Sequence, residues 1–418
     1  MIKYEGDIMT NSTDMIEHLV APYICIIKNG DFKMKIEKMV IDNICGIRHL
    51  ELKFNKGLNL ICGENGVGKT TILKAIAHEF VFGYDYFIKK HYGSDNGHVE
   101  IWIEGGDTPI RYEIEDFIPG KIERYNIDNV KADNLIYFSP SRTINYQKLD
   151  ALPAVKTKDK NNHHSAEILI DGVKNDIKAW FINRLVFSKI DSSLSENQMN
   201  NLKLSQKVFN LLDNNLSVKT AKPDYEIILK KKNDEIYFEM LSDGYKSCIF
   251  IMLGIIKEIE YRYPEINAVD FDGIIMIDEI DIHLHPQWQA KIVNVLKETF
   301  PNAQIIATTH SPSVLQTAKA EEIIPLYKDK EENTCIKELN LGKYGLQGWT
   351  LEEILENVMG MPLTNSQLYM DTIHKFDKAM NEEDQEKILQ NYSVLKEMLH
   401  PNNPLLQLLE IQVAEWKD

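Results

Sequence analysis

Ordered alternation of apolar and polar side chains begins at Met34. Two runs within residues 35–54, KIEKMVI and HLELKF, flank the turn-forming Asp42-Asn43 and Gly46 and predict an antiparallel strand pair. LNLIC at residues 58–62 reads as a short buried strand. A glycine-rich turn follows, then TTILKAIAHEF, where Ile72, Ile76 and Phe80 recur at helical spacing. Residues 97–115 alternate as an exposed antiparallel hairpin would, and residues 135–138 predict another buried strand. A hairpin is expected over residues 225–240, turning at Lys231-Lys232-Asn233-Asp234, and an apolar helix over residues 248–263, stopped by Pro264. GIIMID at 273–278, QIIATT at 304–309 and residues 322–327 predict buried strands, with a helix over residues 288–300 between the first two. Strands alternating with helices imply an α/β fold whose mixed sheet has a parallel core.

Between residues 142 and 241 the chain turns rich in Lys, Asn, Asp and Ser, with helical segments near residues 173–187 and 200–212. A compact helical insertion fits this stretch, because a coiled-coil arm at ~1.5 Å per residue needs more chain and sustained heptads. From Leu341 the pattern is helical, opening on a capping box of Thr350 and Glu353. Leu405, Leu406, Leu409, Val413 and Trp416 form a helical stripe, suited to a core or to an oligomer or partner seam. The resulting plan is an N-terminal arm (1–33), a first lobe (34–141), the helical insertion (142–222), a second lobe (223–330) and a C-terminal helical region (331–418) for assembly or partner contact.

Composition narrows the function. The chain has 418 residues, 44% hydrophobic and 26% charged, enough for two or three packed units and unlike a disordered chain or a disulfide scaffold. Its formal charge of −16 excludes a bulk basic coat for nucleic acid, so any DNA or RNA contact needs a local patch or a partner. Lys230-Lys231-Lys232 and Lys89-Lys90-His91 are the compact basic clusters, read first as solvated turns. The cysteines (Cys25, Cys45, Cys62, Cys248 and Cys335) are scattered and form no CxxC pair, which points to a reducing compartment. No apolar run reaches the ~18 residues of a spanning helix, so a cytoplasmic protein with no membrane contact is expected.

The run Gly63-Glu64-Asn65-Gly66-Val67-Gly68-Lys69-Thr70 matches G-x4-G-K-[ST] in full, between a buried strand and a helix. Glycines there allow positive φ, so successive N–H groups can converge on phosphate. Lys69 would neutralise β/γ charge, and Thr70 offers a hydroxyl to Mg²⁺. Residues 65–71, Thr71 included, are the expected nucleotide cradle. Asp278 and Glu279 end a hydrophobic strand and point different ways, so one can serve Mg²⁺ while the other acts as base toward a water. His310 emerges after QIIATT, at the sheet edge where ligands of open α/β folds sit. Ser242 and Gly244, in LSDGY, precede a helix and aim a hydroxyl and an N–H at an anion. His283 and His285 invite a metal reading, but a two-residue spacing with no nearby Cys argues against it.

The ordered set GENGVGKT, LSDGYKS, IIMIDE and TTH resembles the ATP-binding cassette heads of the SMC, Rad50 and RecF group, over residues 34 to about 327. That resemblance implies Lys69 on the phosphates, Thr70 and Asp278 at Mg²⁺, Glu279 and His310 as catalytic base and switch histidine, and Ser242 and Gly244 reaching ATP held by another subunit. The signature reads LSDGY rather than LSGGQ, and Leu284-His285 stands where such heads carry Leu-Asp. Arg142 and Gln147 are the candidates for a Q-loop. DEIDIHLHPQWQ resembles the AAA15/AAA21-type ATPases, and YGLQGWTLEEILENVMG with its acidic tail is similar to the ATPase subunit of Septu antiphage systems, PtuA-like proteins also found beside retrons. The resemblance implies an ATPase that dimerises or oligomerises around Mg-ATP and controls a separate HNH-type nuclease, with no nuclease site of its own. The alternative is a RecF-like ATP-gated DNA clamp in repair.

Overall fold

The computed structural model describes residues 34–80, 83–85, 88–118, 123–125, 132–141, 146, 148–154, 164–174, 176–361 and 366–416. The arm expected over residues 1–33, together with the Q-loop candidates Arg142 and Gln147, lies outside them.

Among the described residues six strands form the central sheet, in the order Thr334–Ile336, Ile323–Lys328, Leu58–Gly63, Gln304–Thr308, Ile274–Ile277 and Leu135–Phe138. All pairs are parallel except the outermost, between Thr334–Ile336 and its neighbour. The four strands from Leu58–Gly63 to Leu135–Phe138 are buried along their whole length, which is why they read as continuous apolar runs rather than as alternating ones. Register then places the site. Ile61 pairs with Thr308, and Ile277 lies beside both Ala307 and Phe138. The residues that follow these strands therefore leave the sheet at one edge.

A second sheet is antiparallel, ordered Ile47–Lys53, Ile36–Ile44, Gly97–Ile103 and Ile110–Ile114. Helix Lys69–Glu79 joins the two sheets in one core, where Met39, Ile41 and Ile101 share a cluster with Ile72, Ile76 and Ile306. The Tyr112 hydroxyl donates to Ala75 O of that helix at 2.8 Å. Buried Gln304 ties the sheets again: its Nε2 donates to Ile36 O at 2.8 Å and its Oε1 accepts from Ile36 N at 2.8 Å.

Several expectations are corrected here. The 97–115 hairpin is not exposed: Val99, Ile101, Tyr112 and Ile114 are buried in the shared core. Asp42-Asn43 belongs to the strand Ile36–Ile44, and the chain reverses at Cys45-Gly46, where Cys45 takes φ 49°. The insertion contains helices His164–Asp171, Ile177–Phe187 and Glu196–Leu212, but Leu216–Ala221 is a strand. It pairs with Ile227–Lys231 and completes a three-stranded sheet with Asp234–Tyr237. The apolar helix starts at Asp243 rather than Cys248, because Ser242 caps it and accepts from Tyr245 N. Lys89-Lys90-His91 is no basic patch. Lys89 is buried, Lys90 Nζ donates to Asp95 O at 2.8 Å and His91 Nδ1 lies 2.8 Å from Cys45 O. Lys230, Lys231 and Lys232 remain exposed at their turn.

The chain divides into two compact units, one through Gly360 and one from Met361. The second contains helices Gln367–Asn381, Gln385–Met398 and Pro404–Ala414 around Phe376, Ile388, Leu395, Leu406, Leu409 and Val413. Leu405 and Trp416 pack partly buried against this cluster, so the C-terminal stripe lines the unit's own core. Among the described residues no helix is long and apolar enough to cross a membrane.

Candidate active site

The loop after Leu58–Gly63 carries three glycines with positive φ: Gly63 at 140°, Gly66 at 77° and Gly68 at 106°. Gly63 has a second constraint. A Cβ there would stand 2.2 Å from Leu326 O of the neighbouring strand. Gly68 precedes helix Lys69–Glu79 and provides no side-chain cap, so the first-turn N–H groups keep their capacity to bind an anion. Asn65 and Gly66 are exposed at the loop tip, while Val67 is buried and its carbonyl accepts from Thr334 Oγ1 at 3.0 Å. Lys69 folds back under the loop, with Nζ donating to Gly63 O at 2.9 Å and to Glu64 O at 2.8 Å. Burial pulls its pKa below the ordinary lysine value, against the opposing charges of Asp278, Glu279 and Asp281.

Asp278 is fully buried at the end of strand Ile274–Ile277. Its Oδ1 accepts from Thr70 Oγ1 at 3.1 Å and from Thr308 Oγ1 at 2.5 Å. A hydroxyl and a carboxylate at that separation are hard oxygen donors of the kind Mg²⁺ takes, and Mg²⁺ draws its remaining ligands from water and phosphate. Thr70 and Asp278 would thus hold the ion that a nucleotide brings. Half-buried Glu279 follows in a left-handed conformation, φ 49°, with its N–H donating to Thr308 Oγ1 at 2.7 Å. A non-glycine residue there costs of order 1–3 kcal/mol, and the Thr308 bond helps to hold it.

His310 is half-buried beyond strand Gln304–Thr308. Burial, and then the positive charge of Lys69, hold its pKa below the usual histidine value, while Asp281, Glu279 and Asp278 pull the other way. A neutral imidazole at neutral pH can accept or donate a hydrogen bond. Lys69, Thr70, Asp278, Glu279 and His310 therefore belong to one site.

Ser242 and Gly244 stand apart from it. None of their described contacts reaches the glycine loop. Gly244 abuts the turn after Glu279 instead, and a Cβ there would meet His283 O at 3.0 Å and His285 N at 3.2 Å. Tyr245 is buried, donates to Phe209 O at 2.7 Å and meets Trp288 edge-on at 4.9 Å. His283 and His285 are exposed, and His285 caps helix Pro286–Thr299. Among the described residues no group of three or more His, Cys, Asp or Glu side chains is placed to hold a metal.

Sequence reasoning missed Thr308, Thr309, Asp281 and Gln289. Thr309 Oγ1 donates to Asp281 Oδ1 at 2.6 Å, and Gln289 Oε1 accepts from Ser311 Oγ at 2.7 Å. Their signal in the chain was slight: two threonines ending an apolar strand before His310, and a third acid two places after Glu279.

Comparison with known proteins bears on this geometry. A family model described as "AAA domain, putative AbiEii toxin, Type IV TA system" matches residues 58–316. A Septu protein PtuA of Bacillus thuringiensis is 43% identical over 91% of this chain and 98% of its own length. A retron Ec83 probable ATPase of Escherichia coli is 27% identical over 64% of this chain and 48% of that protein. Among solved structures, the SMC head domain from Thermotoga maritima matches 73% of this chain and 100% of that one at 16% identity, with a TM-score of 0.45.

Proposed function

The chain belongs to the Septu PtuA family of ABC-type ATPases, and from that premise we propose that it binds and hydrolyses ATP in an antiphage defence system, using ATP-dependent pairing of its heads to control an associated HNH-type nuclease. The observation that carries the reading is the hydrogen-bonded line Thr70–Asp278–Thr308, with Glu279 fastened to the same threonine.

In this reading the N–H groups of residues 65–71 and Lys69 would receive the phosphates, and Thr70 and Asp278 would hold Mg²⁺, which would supply charge neutralisation to them. Glu279 orients and deprotonates the attacking water, and His310 hydrogen-bonds the γ-phosphate or that water. No described contact of Ser242 or Gly244 reaches the glycine loop of their own chain, which suits residues that complete a second copy's site. The paired heads would be the state to which the nuclease subunit responds, and contact with DNA or RNA would come through that partner.

Glu279→Gln is the test. It should reduce turnover roughly 10²- to 10⁴-fold while ATP binding is kept, since it removes the base and leaves the cradle intact. With ATP the variant should accumulate as a dimer or higher oligomer by analytical ultracentrifugation. Wild-type turnover in the variant sinks the base assignment. A monomer with ATP bound sinks the pairing of heads. Co-purification with the products of neighbouring genes, followed by nuclease assays with and without ATP, tests the partner.

The exposed Lys230-Lys231-Lys232 turn favours a second reading, a RecF-like ATP-gated DNA clamp. Salt-dependent duplex binding that appears with ATP, and is lost on charge reversal at these lysines, would put it first.

A further inference from the structure

We infer that Asp281 is a positioning residue for ATP hydrolysis: its carboxylate fixes the turn that carries His310 to the turn that carries Glu279. The inference deepens the proposed function, since it rests on His310 acting at the site.

Asp281 Oδ1 accepts twice from consecutive residues of one strand end, from Thr309 Oγ1 at 2.6 Å and from His310 N at 3.1 Å. A carboxylate is the side chain for this task, because it accepts several bonds and each is charge-assisted. Further links run from the same pair of turns. Thr309 Oγ1 accepts from Ser311 N at 3.0 Å, and Ser311 Oγ donates to Gln289 Oε1 at 2.7 Å. Gln289 Nε2 then donates to Leu284 O at 2.9 Å, closing the connection onto the segment that Asp281 begins. The backbone on both sides of His310 is thus held, while no described hydrogen bond uses its imidazole. That arrangement leaves the ring for substrate.

The other end of the Asp281 turn meets the signature. Leu284 N donates to Asp281 O at 3.0 Å, and the carbonyl of His283, which sits at φ 64°, faces the bare Cα of Gly244. The turn is therefore built between three parts of the machinery: Glu279 at its start, His310 beside it and the signature at its end. None of the described hydrogen bonds of Asp281 goes to the glycine loop, Thr70 or Asp278, so its effect on rate runs through His310.

The experiment compares ATPase kcat and KM, nucleotide affinity and melting temperature for the full chain carrying Asp281→Ala, Asp281→Asn, His310→Ala and the Asp281→Ala/His310→Ala pair. Asp281→Ala should reduce kcat by about 10- to 100-fold, with nucleotide affinity changed less than about threefold, because placement and not the cradle is lost. Asp281→Asn keeps an acceptor oxygen for Thr309 and His310 and should retain most of the activity. The double variant should be no slower than His310→Ala alone, the signature of two residues acting as one unit. Should Asp281→Ala not fold, Thr309→Val removes one of the two bonds and should show the same split. Normal kcat in a folded Asp281→Ala, or losses that multiply in the double variant, overturns the inference. Unchanged turnover in His310→Ala instead overturns the role of His310, and the two failures are told apart by that single variant.

Discussion

Thr308 donates its hydroxyl to the carboxylate of Asp278 at 2.5 Å, with both side chains fully buried. The same oxygen accepts the Glu279 N–H, so one hydroxyl sets the two acids that the reaction divides between ion and water. Thr308→Val keeps the shape and removes both bonds. It should cost about 1–3 kcal/mol of stability, the penalty for stranding buried polar groups. Turnover should fall by about 10- to 100-fold, because near-attack geometry is lost while Lys69 still binds phosphate. Thr308→Ser should behave as wild type, and denaturation with parallel ATPase assays would show either outcome.

Gly63 answers to the fold as much as to phosphate. With Leu326 O only 2.2 Å from where a Cβ would stand, Gly63→Ala must push apart two central strands. A loss of about 3 kcal/mol or more is expected, and chemical denaturation measures it. A variant of normal stability would mean that the strand pair yields easily there.

Tyr245, where the transporter signature has Gln, serves as an anchor. Its buried hydroxyl reaches Phe209 O, and its ring meets Trp288. Tyr245→Phe should lose about 1 kcal/mol and little activity. Tyr245→Ala should cost about 3–5 kcal/mol, the range for emptying an aromatic site. Reversed ranks in thermal melts would contradict the anchor.

Lys178, on helix Ile177–Phe187, joins Glu226 at 2.8 Å and Glu239 at 2.7 Å, just ahead of the signature. Burial alone would raise the Glu226 pKa, but its bonds to Lys178 and Tyr146 outweigh that and hold it below 4.5. Because the folded value is the lower one, this stabilisation is complete above the ordinary carboxylate value and fades as pH falls through the folded value. Lys178→Met should therefore melt below wild type at neutral pH, and the gap should shrink as the pH drops under 4.5. Melting curves of both proteins across that window test it, and a constant gap would deny the linkage.

Local pattern reached far in this chain because its site lies at strand ends. The parallel strands announced themselves as apolar runs, and each candidate residue follows directly from one or from a helix start: Lys69 after LNLIC, Asp278 after GIIMI and His310 after QIIATT. The 97–115 hairpin was misjudged as exposed because alternation reports that one face is covered without saying by what. Leu216–Ala221 was missed because only Leu216 of it is buried, so no apolar run marks it, although the chain turns tightly into its partner strand at residues 222–225, where Tyr225 N donates to Lys222 O at 3.0 Å.

What the sequence determined by itself, then, was the order of most elements and the positive-φ glycines of the loop, since both depend on neighbours along the chain. The tertiary structure decided which side chains meet. Thr70 and Asp278 stand 208 residues apart and share a hydrogen bond, and Asp281 holds a residue 29 positions further on. Such pairs follow from strand order and register, which bring distant strand ends to one edge of the sheet. No local periodicity encodes them.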